Sequence, residues 1–394
     1  MPSDLPKQVQ DHILCHKEEI VNFLMELTKI ESPSLAPETQ LPVQEFLREP
    51  LESLGFQVEL REGDKTGGHL YAIRKNTVGT DTPKQLLLGH TDTVWPLGTI
   101  KSMPVIWDKD QNIVKGPGVF DMKGGITQMI FALKALDALK CIPELTTTIL
   151  LNSDEEIGSA ESQPHIEQYA RESSRVFVME PALGTNGLIK TTRRGVGQFE
   201  IKVVGRAAHS GLAPEEGASA IQEMSHVIQQ LHCLNRPQEG LGINVGTVAG
   251  GTRANVVAAT CSAVVDVRVS NQAQSVWIDR QIRNLKTTVS GTHLEISGGV
   301  DRAPMESNAR NTDLWHAVQT CGTSLGLQLI GGQSGGASDG NITSLYTATL
   351  DGLGSVGDGA HALHEYICIN GLLERTALLA LAILLPDNLI GQGD

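Results

Sequence analysis

The sequence predicts an α/β fold in which a mixed sheet is sandwiched by helices, with a smaller α+β domain inserted into it. Its 394 residues exceed the size at which one hydrophobic core usually stops growing. Short apolar strands alternate with helices before about residue 193 and again after Pro304, which is typical of an α/β sheet. Between these regions the strands become amphipathic. We therefore predict one domain formed by 1–193 and 304–394, and a second, inserted domain at 194–303.

The first region starts with helices and continues as strands separated by turns. Ile13, Ile20, Leu24 and Leu27 recur on one face at helical spacing. Short β-rich segments begin after Gly55. Helices are predicted near 43–54 and 125–139, and strands at 56–60, 70–73, 86–88, 146–151 and 176–179.

The inserted region has the order strand, helix, strand, strand, helix, strand, which is that of the ferredoxin-like split βαβ unit. After Pro304 the α/β pattern returns, with a Gly-rich stretch at 331–340. The predicted strands are 199–204, 243–248, 263–269 and 294–296, and the predicted helices are 218–234, 276–289, 312–325 and 372–385.

Composition and charge exclude several classes of protein. Hydrophobic residues make up 40% and charged residues 19%, which excludes a disordered chain. The net charge of -14 repels phosphate backbones and anionic lipids, so we expect neither nucleic acid nor a membrane as a partner. The apolar run 377–385 is too short to cross a bilayer. Six scattered cysteines without a C-x-x-C pair, and no signal-peptide pattern at 1–10, predict a cytoplasmic protein.

Polar residues that follow apolar strands are the first candidates for a site, because α/β sheets bind ligands at the carboxyl ends of their strands. The strand at 86–88 leads into His90 and Asp92. Residues two apart point to the same side of an extended chain, so Asp92 can accept the ring proton of His90 and leave the other nitrogen for a metal ion. The alternative is a structural histidine.

Acidic residues occupy three further positions of this kind. Asp121 lies in a Gly-rich turn, 116–125, that opens a helix, and its charge would repel phosphate and attract a cation. Glu155 and Glu156 follow the strand 146–151, and Glu180 follows the strand 176–179. In an extended segment the adjacent glutamates diverge, so one can bind metal while the other acts as a base. The alternatives are a turn aspartate, a solvated run of charges and a surface glutamate.

A late segment adds His361 and His364, either of which is a candidate metal ligand or a helix cap. Oxygen and imidazole ligands without thiolate suit zinc, cobalt or manganese. Asp121, Glu156 and Glu180 supply three of the negative charges that two divalent ions require. Taken together, the residues predict a two-metal hydrolase.

This set resembles the dizinc amidohydrolases and exopeptidases that include pseudomonad glutamate carboxypeptidase, acetylornithine deacetylase, succinyl-diaminopimelate desuccinylase and aminoacylase. The resemblance covers nearly the whole chain and is closest to the glutamate carboxypeptidase branch. It implies a phosphorylase/hydrolase-like sheet with a ferredoxin-like dimerisation (lid) domain. It also implies two divalent ions, most commonly zinc. By the resemblance, one ion is held by His90 and Glu180 and the other by Glu156 and His361, with Asp121 as the bridge, Glu155 as the general base and Asp92 as the partner of His90.

The late family motif is H-x-x-x-E, and His361 rather than His364 has that spacing to Glu365. In the inserted domain, His209 resembles a histidine that reaches the active site of the other subunit of a homodimer and holds the developing oxyanion. Asn255 and Arg268 resemble substrate-contacting positions, and Arg302 resembles an arginine that receives a substrate carboxylate.

The resemblance implies a hydrolase that cleaves the amide bond of a small peptide or N-acyl amino acid with a free carboxylate. An N-acyl-amino-acid deacylase, such as acetylornithine deacetylase, is the alternative. A serine hydrolase is a remote alternative, because 332–336 matches G-x-S-x-G around Ser334 and is followed by Asp351 or Asp358 and then His361 or His364. A third reading is a non-catalytic binding module, whose sign would be loss of the base or of a metal ligand.

Overall fold

The computed structural model describes residues 2–74 and 82–389. Over these residues the chain divides into two compact units. The first comprises Met1–Thr191, Ser307–Gln333 and Ser338–Asp394, and the second comprises Thr192–Glu306 and Ser334–Ala337. None of the helices in the described part of the chain is both long and apolar enough to span a membrane.

The helices and strands are numbered in chain order. The helices are α1 Leu5–Cys15, α2 Lys17–Lys29, α3 Gln40–Ser53, α4 Gly124–Ala138, α5 Gln163–Arg171, α6 Ala220–Leu234, α7 Gln272–Arg283, α8 Ala309–Ser324, α9 Asp339–Thr343 and α10 Ile369–Ile383. The strands are β1 Phe56–Arg61, β2 His69–Arg74, β3 Lys84–His90, β4 Ile106–Asp108, β5 Ile113–Lys115, β6 Thr146–Asn152, β7 Ser173–Val178, β8 Ile189–Arg193, β9 Gly195–Val204, β10 Gly242–Gly250, β11 Thr260–Val269, β12 His293–Arg302, β13 Gly331–Ser334, β14 Ala348–Leu350, β15 Gly357–Asp358 and β16 Tyr366–Cys368.

The first unit contains a six-stranded mixed sheet in the order β1-β2-β6-β3-β7-β14. β3 pairs in parallel with both β6 and β7, whereas β2 pairs antiparallel with β1 and β6. All seven residues of β6 are buried, as expected for a strand covered on both faces. The predicted mixed α/β sheet is therefore confirmed.

Helices cover both faces of this sheet. Leu87 of β3 belongs to a large apolar cluster formed with residues of α1–α4, α8 and α10. Its neighbours Leu86 and Leu88 point the opposite way, into a smaller cluster that contains Ile166 of α5 and Ile342 of α9. Because successive side chains of a strand alternate between faces, this division shows that β3 is buried on two sides. β3 is consequently held between helices on both faces of the sheet.

The second unit contains an antiparallel sheet in the order β10-β11-β9-β12, with α6 and α7 in the connections. Along β11, buried residues alternate with more exposed ones, which is the pattern of a sheet with one covered face. Val227 of α6 and Ile278 of α7 are fully buried in the apolar cluster of this unit. The strand and helix order is the one that the sequence predicted.

Some predicted boundaries were wrong. The first helical stripe is interrupted at His16, which separates α1 from α2. α7 ends at Arg283 rather than near 289, and β12 extends from His293 to Arg302 rather than over 294–296. Short strands such as β4, β5 and β16 were not predicted. They are three residues long, which is too short for a hydrophobic period to appear in the sequence, and β16 pairs with β5 from a distant part of the chain.

Candidate metal centre

The first candidate ligand, His90, is the last residue of β3, and its side chain is 1% exposed. Its Nδ1 lies 2.9 Å from the backbone carbonyl oxygen of Asp92 and 3.3 Å from the Asp92 carboxylate. Asp92 thus faces the ring nitrogen as the sequence analysis expected, with its backbone carbonyl closer than its carboxylate. Either contact favours a proton on Nδ1 and leaves Nε2 for a ligand.

The Asp92 carboxylate accepts hydrogen bonds from two other segments of the chain. It accepts a hydrogen bond from the hydroxyl of Ser34 at 2.6 Å, and from the backbone N–H groups of Glu155 and Glu156 at 3.3 and 3.2 Å. Asp92 is fully buried. It therefore ties the end of β3 to the segment that follows β6.

Glu155 and Glu156 lie in a short 3-10 turn, Glu155–Ile157, which two residues separate from the end of β6. The prediction of an extended segment at this point was wrong, since the N–H groups of the turn are directed at Asp92 rather than at a neighbouring strand. β6 and β3 are adjacent, and their last residues, Asn152 and His90, are register partners. The turn is thus placed beside His90.

Asp121 lies in the turn Val119–Lys123 that precedes α4. Gly118, which begins this turn, has a φ of 73°, and a Cβ there would lie 2.6 Å from the Thr93 side chain. Glycine is needed at this position for both reasons. The loop can therefore pack against the end of β3 and bring Asp121 to His90.

Glu180 and His361 complete the cluster. Glu180 follows β7, the other neighbour of β3, and its carboxylate lies 3.4 Å from His90 Nε2 and 3.8 Å from Lys190 Nζ. His361 comes from the segment after β15 and is half-exposed. Its Nε2 lies 3.0 Å from Glu156 Oε2 and 3.5 Å from Asp121 Oδ2.

These contacts form a continuous chain of carboxylates and imidazoles. His90 Nε2 is 3.3 Å from Asp121 Oδ1, so Asp121 faces both histidines. Two groups have ligand atoms that all lie within 4.8 Å of one another. They are His90, Glu155 and Glu180, and His90, Asp121 and Glu156. Both groups share His90. Among the described contacts, no hydrogen bond or ion pair joins His364 to these carboxylates.

The chemistry of the donor set fits divalent cations. Buried atoms without a hydrogen-bond partner among the described residues include His90 Nε2, Asp121 Oδ1 and Glu156 Oε1. Such atoms are costly to bury unless a ligand satisfies them. All donors are oxygen or imidazole nitrogen, as zinc, cobalt and manganese accept.

The protonation equilibria show an excess of negative charge in the cluster. Burial disfavours a charged His90, but the carboxylates of Asp121, Asp92 and Glu180 outweigh it and raise the His90 pKa well above its usual value. Asp121 and Glu156 raise the pKa of His361 to about 10. Burial raises the pKa of Glu156 to about 7. The carboxylates of the cluster thus favour positive charge at this site, as a site for cations requires.

Glu365 is a functional candidate to which the sequence analysis gave no role of its own. Its carboxylate is 1% exposed and accepts hydrogen bonds from Trp95 Nε1 at 2.8 Å and from the N–H groups of Gly118, Phe120 and Asp121 at 2.9, 2.9 and 3.1 Å. It holds the Asp121 turn in place. The sequence contained a signal for Glu365, the H-x-x-x-E spacing, but this spacing was used only to choose between His361 and His364.

The remaining predicted residues belong to the second unit. His209 is exposed, and its Nδ1 accepts a hydrogen bond from the N–H of Gly211 at 3.1 Å. Asn255 is also exposed. Arg268 makes a two-pronged ion pair with Asp266, with both N–O distances 2.9 Å. Arg302 ends β12.

The serine-hydrolase alternative does not match the structure. Ser334 ends β13, which pairs with β8 in a two-stranded sheet outside the central one, and its hydroxyl donates to the Gly336 carbonyl. A nucleophile of that class stands between a central strand and a helix. The Asp351 carboxylate, a candidate for the acid of such a triad, accepts a hydrogen bond from the Ser338 hydroxyl.

An α/β sheet with carboxylates and imidazoles gathered at its strand ends is typical of metal-dependent hydrolases. The model of Peptidase family M20/M25/M40 matches residues 86–385, and the chain belongs to that family. The resemblance found in the motifs is thereby confirmed.

The relatives and solved structures agree with this assignment. Carboxypeptidase G2 from Pseudomonas sp. (strain RS-16) is 28% identical over 251 residues, which cover 63% of this chain and 59% of that protein, less than two thirds of its length. The crystal structure of aminopeptidase PepT from Bacillus cereus ATCC 10987 has a TM-score of 0.78 at 21% identity, covering 93% of this chain and 98% of that one. The Bacillus subtilis YXEP protein, described as a dinuclear metal binding peptidase from the M20 family, has a TM-score of 0.68 at 15% identity over 94% and 98% of the two chains. These two structures share the fold of this chain.

Proposed function

We propose that this chain is a two-metal hydrolase that cleaves an amide bond, peptide or N-acyl, in a small substrate with a free carboxylate, in the manner of a carboxypeptidase. The observation that supports this most directly is the cluster at the ends of β3, β6 and β7. Three buried atoms of this cluster, His90 Nε2, Asp121 Oδ1 and Glu156 Oε1, have no hydrogen-bond partner among the described residues. Membership of a peptidase family supports the reaction class.

In this proposal His90 and Glu180 would hold one ion, Glu156 and His361 would hold the other, and Asp121 would be a ligand of both. Zinc is the first choice, with cobalt or manganese also suited to these ligands. When bound, such ions polarise the substrate carbonyl and lower the pKa of water. Asp92 keeps His90 in the tautomer that presents Nε2, and anchors the N–H groups of both glutamates.

Glu155 is the proposed general base. Its backbone is held by Asp92, and its carboxylate belongs to the same group as His90 and Glu180. A base must lie within hydrogen-bond reach of the proton it removes, so the proposal requires the attacking water to lie next to this carboxylate. Glu155 takes the proton of the attacking water and delivers it to the leaving nitrogen.

His209 is the proposed donor to the oxyanion, and it acts across a homodimer formed through the second unit. Because Gly211 N–H donates to its Nδ1, a neutral His209 carries its proton on Nε2. The outer nitrogen is then a hydrogen-bond donor, as this role requires. Asn255 and Arg268 are proposed substrate contacts, and Arg302 is proposed to receive the substrate carboxylate.

The test is hydrolysis by the metal-loaded protein of N-acyl amino acids, dipeptides and tripeptides, followed by mass spectrometry. We expect cleavage that a chelator abolishes and a serine-directed phosphonate leaves unchanged. Preference for peptides supports the carboxypeptidase, and preference for simple acyl groups would replace it by the deacylase. Absence of cleavage of every amide, with metal bound, would contradict the proposal.

A further inference from the structure

An apolar pocket adjoins the candidate metal centre. It has a volume of about 430 Å³, within the range of small-molecule sites, and its wall includes Glu156. The rest of the lining is mainly apolar and includes Leu35, Val94, Leu97 and Ile157. The pocket therefore connects directly with the cluster through a proposed metal ligand.

The apolar side chains of this pocket are unusually exposed. Leu35 is 86% exposed, Leu97 56%, Ile157 49% and Val94 40%. Single exposed apolar residues are ordinary, but four around one concavity beside a reactive cluster indicate a binding surface. Covering them would remove apolar surface from water, which is favourable.

The charge of the lining defines what can enter. The described lining contains no lysine, arginine or histidine, and its one charged residue is Glu156. A substrate carboxylate would find no cationic side chain in this lining, and it would lose its hydration against a mainly apolar wall. The occupant is consequently an uncharged apolar group.

From these observations we infer that the pocket binds an apolar acyl group, the half of the substrate on the carbonyl side of the cleaved bond. This inference rests on the proposed function, in which the free carboxylate belongs to the amine half. Because that carboxylate is excluded from the pocket, the acyl half is the one that enters. The substrate class is then N-acyl amino acids with a medium-length aliphatic acyl chain, or peptides with an apolar residue before the cleaved bond.

The experiment compares N-acetyl and N-hexanoyl derivatives of alanine, leucine and glutamate. Each buried methylene is worth about fourfold in kcat/KM, so the hexanoyl compounds should be favoured by at least about 30-fold. In Leu97→Ser and Leu35→Ser, we expect this hexanoyl-to-acetyl ratio to fall at least about tenfold. Ile142→Ser is the matched control, because Ile142 is 78% exposed and is absent from the pocket lining, and it should keep the ratio.

Binding separates failure of this inference from failure of the proposed function. Calorimetry on metal-loaded Glu155→Gln measures affinity for the same compounds without turnover. Tighter binding of the hexanoyl compounds that Leu97→Ser removes supports the pocket even when the wild type hydrolyses nothing. An unchanged ratio in both Ser variants, or a preference that follows the amino-acid half instead, would overturn the inference, as would an absence of binding.

Discussion

The two adjacent glutamates illustrate how neighbouring side chains acquire different roles. Both backbone N–H groups donate to Asp92, so the peptide units of the pair are fixed together. The Glu156 carboxylate is 3.0 Å from His361, whereas Glu155 falls in the group with His90 and Glu180. The proposed division into base and ligand can be separated by experiment, since one role affects turnover and the other affects metal content.

We predict that Glu155→Ala lowers turnover by at least about 10²- to 10⁴-fold, the usual contribution of a positioned proton-transfer group. Metal content, measured by elemental analysis, should stay near that of the wild type. Glu156→Ala is the comparison, and it should lose metal. Full activity in Glu155→Ala, or loss of both ions, would show that the roles are assigned incorrectly.

A second prediction concerns the late histidines. His361→Ala should lose one ion per chain, because His361 Nε2 faces both Glu156 and Asp121. His364→Ala should keep both ions, and it serves as the control because it alters a histidine of the same exposed segment. Counting metal per chain distinguishes them. The reverse pattern would make His364 the ligand.

At the level of elements, the Asp121 turn depends on an acceptor from a distant segment. We predict that Glu365→Gln weakens metal binding by about 10- to 100-fold, the usual effect of losing an outer partner of the ligands. The Glu365 carboxylate accepts hydrogen bonds from the Trp95 ring and from three backbone N–H groups of the Asp121 turn. The glutamine side chain would direct its own N–H groups toward these donors, and part of the hydrogen bonding would be lost.

Metal affinity measured by competition with a chelator tests this prediction. Glu374→Gln in α10 is the control, because Glu374 is an exposed glutamate. It should bind metal as the wild type does. Equal affinity of Glu365→Gln and the control would show that the turn does not require the carboxylate.

The strand β2 contributes a pH dependence of stability. Burial, followed by the nearby His165, lowers the pKa of His69 from 6.5 to about 4. The folded state then disfavours protonation, so stability from this group is complete above pH 6.5 and decreases as the pH falls toward 4. The full difference is up to about 3 kcal/mol.

Urea unfolding at a series of pH values measures this effect. We predict that His69→Gln flattens the decline in the free energy of unfolding between pH 6.5 and 4 relative to the wild type. His316→Gln, which alters an exposed histidine of α8, should leave the decline unchanged. Parallel curves for the wild type and His69→Gln would contradict the prediction.

For the whole molecule, the proposed assembly is a homodimer in which His209 serves the other subunit. We predict that His209→Ala keeps both metals and its fold but loses about 10²- to 10³-fold in turnover. When it is remixed with Glu155→Ala, each hybrid dimer has one cleft with both Glu155 and an incoming His209. Half of the dimers are hybrids, so about a quarter of wild-type activity should return.

Native mass spectrometry confirms that the subunits have exchanged. Each variant remixed with itself is the control and should stay inactive. If verified hybrids are as inactive as their parents, His209 does not act across a dimer, and the proposed assembly loses its catalytic role.

The sequence by itself determined the mixed α/β class, the order of strands and helices along the chain in the second unit, and the candidate ligands at strand ends. These follow from local periodicity and from the general tendency of parallel strands to collect polar residues at one edge. His90, Glu155 and Glu180 are visible because each follows an apolar strand.

The tertiary structure alone decided which distant groups support those ligands. Ser34 is 58 residues from Asp92, and Glu365 is 245 residues from Phe120, yet both make short hydrogen bonds across these separations. The turn at Glu155 and the apolar pocket at Leu97 likewise depend on segments that meet after folding. No local period encodes such contacts, because they arise from the packing of complete elements rather than from the spacing of neighbouring residues.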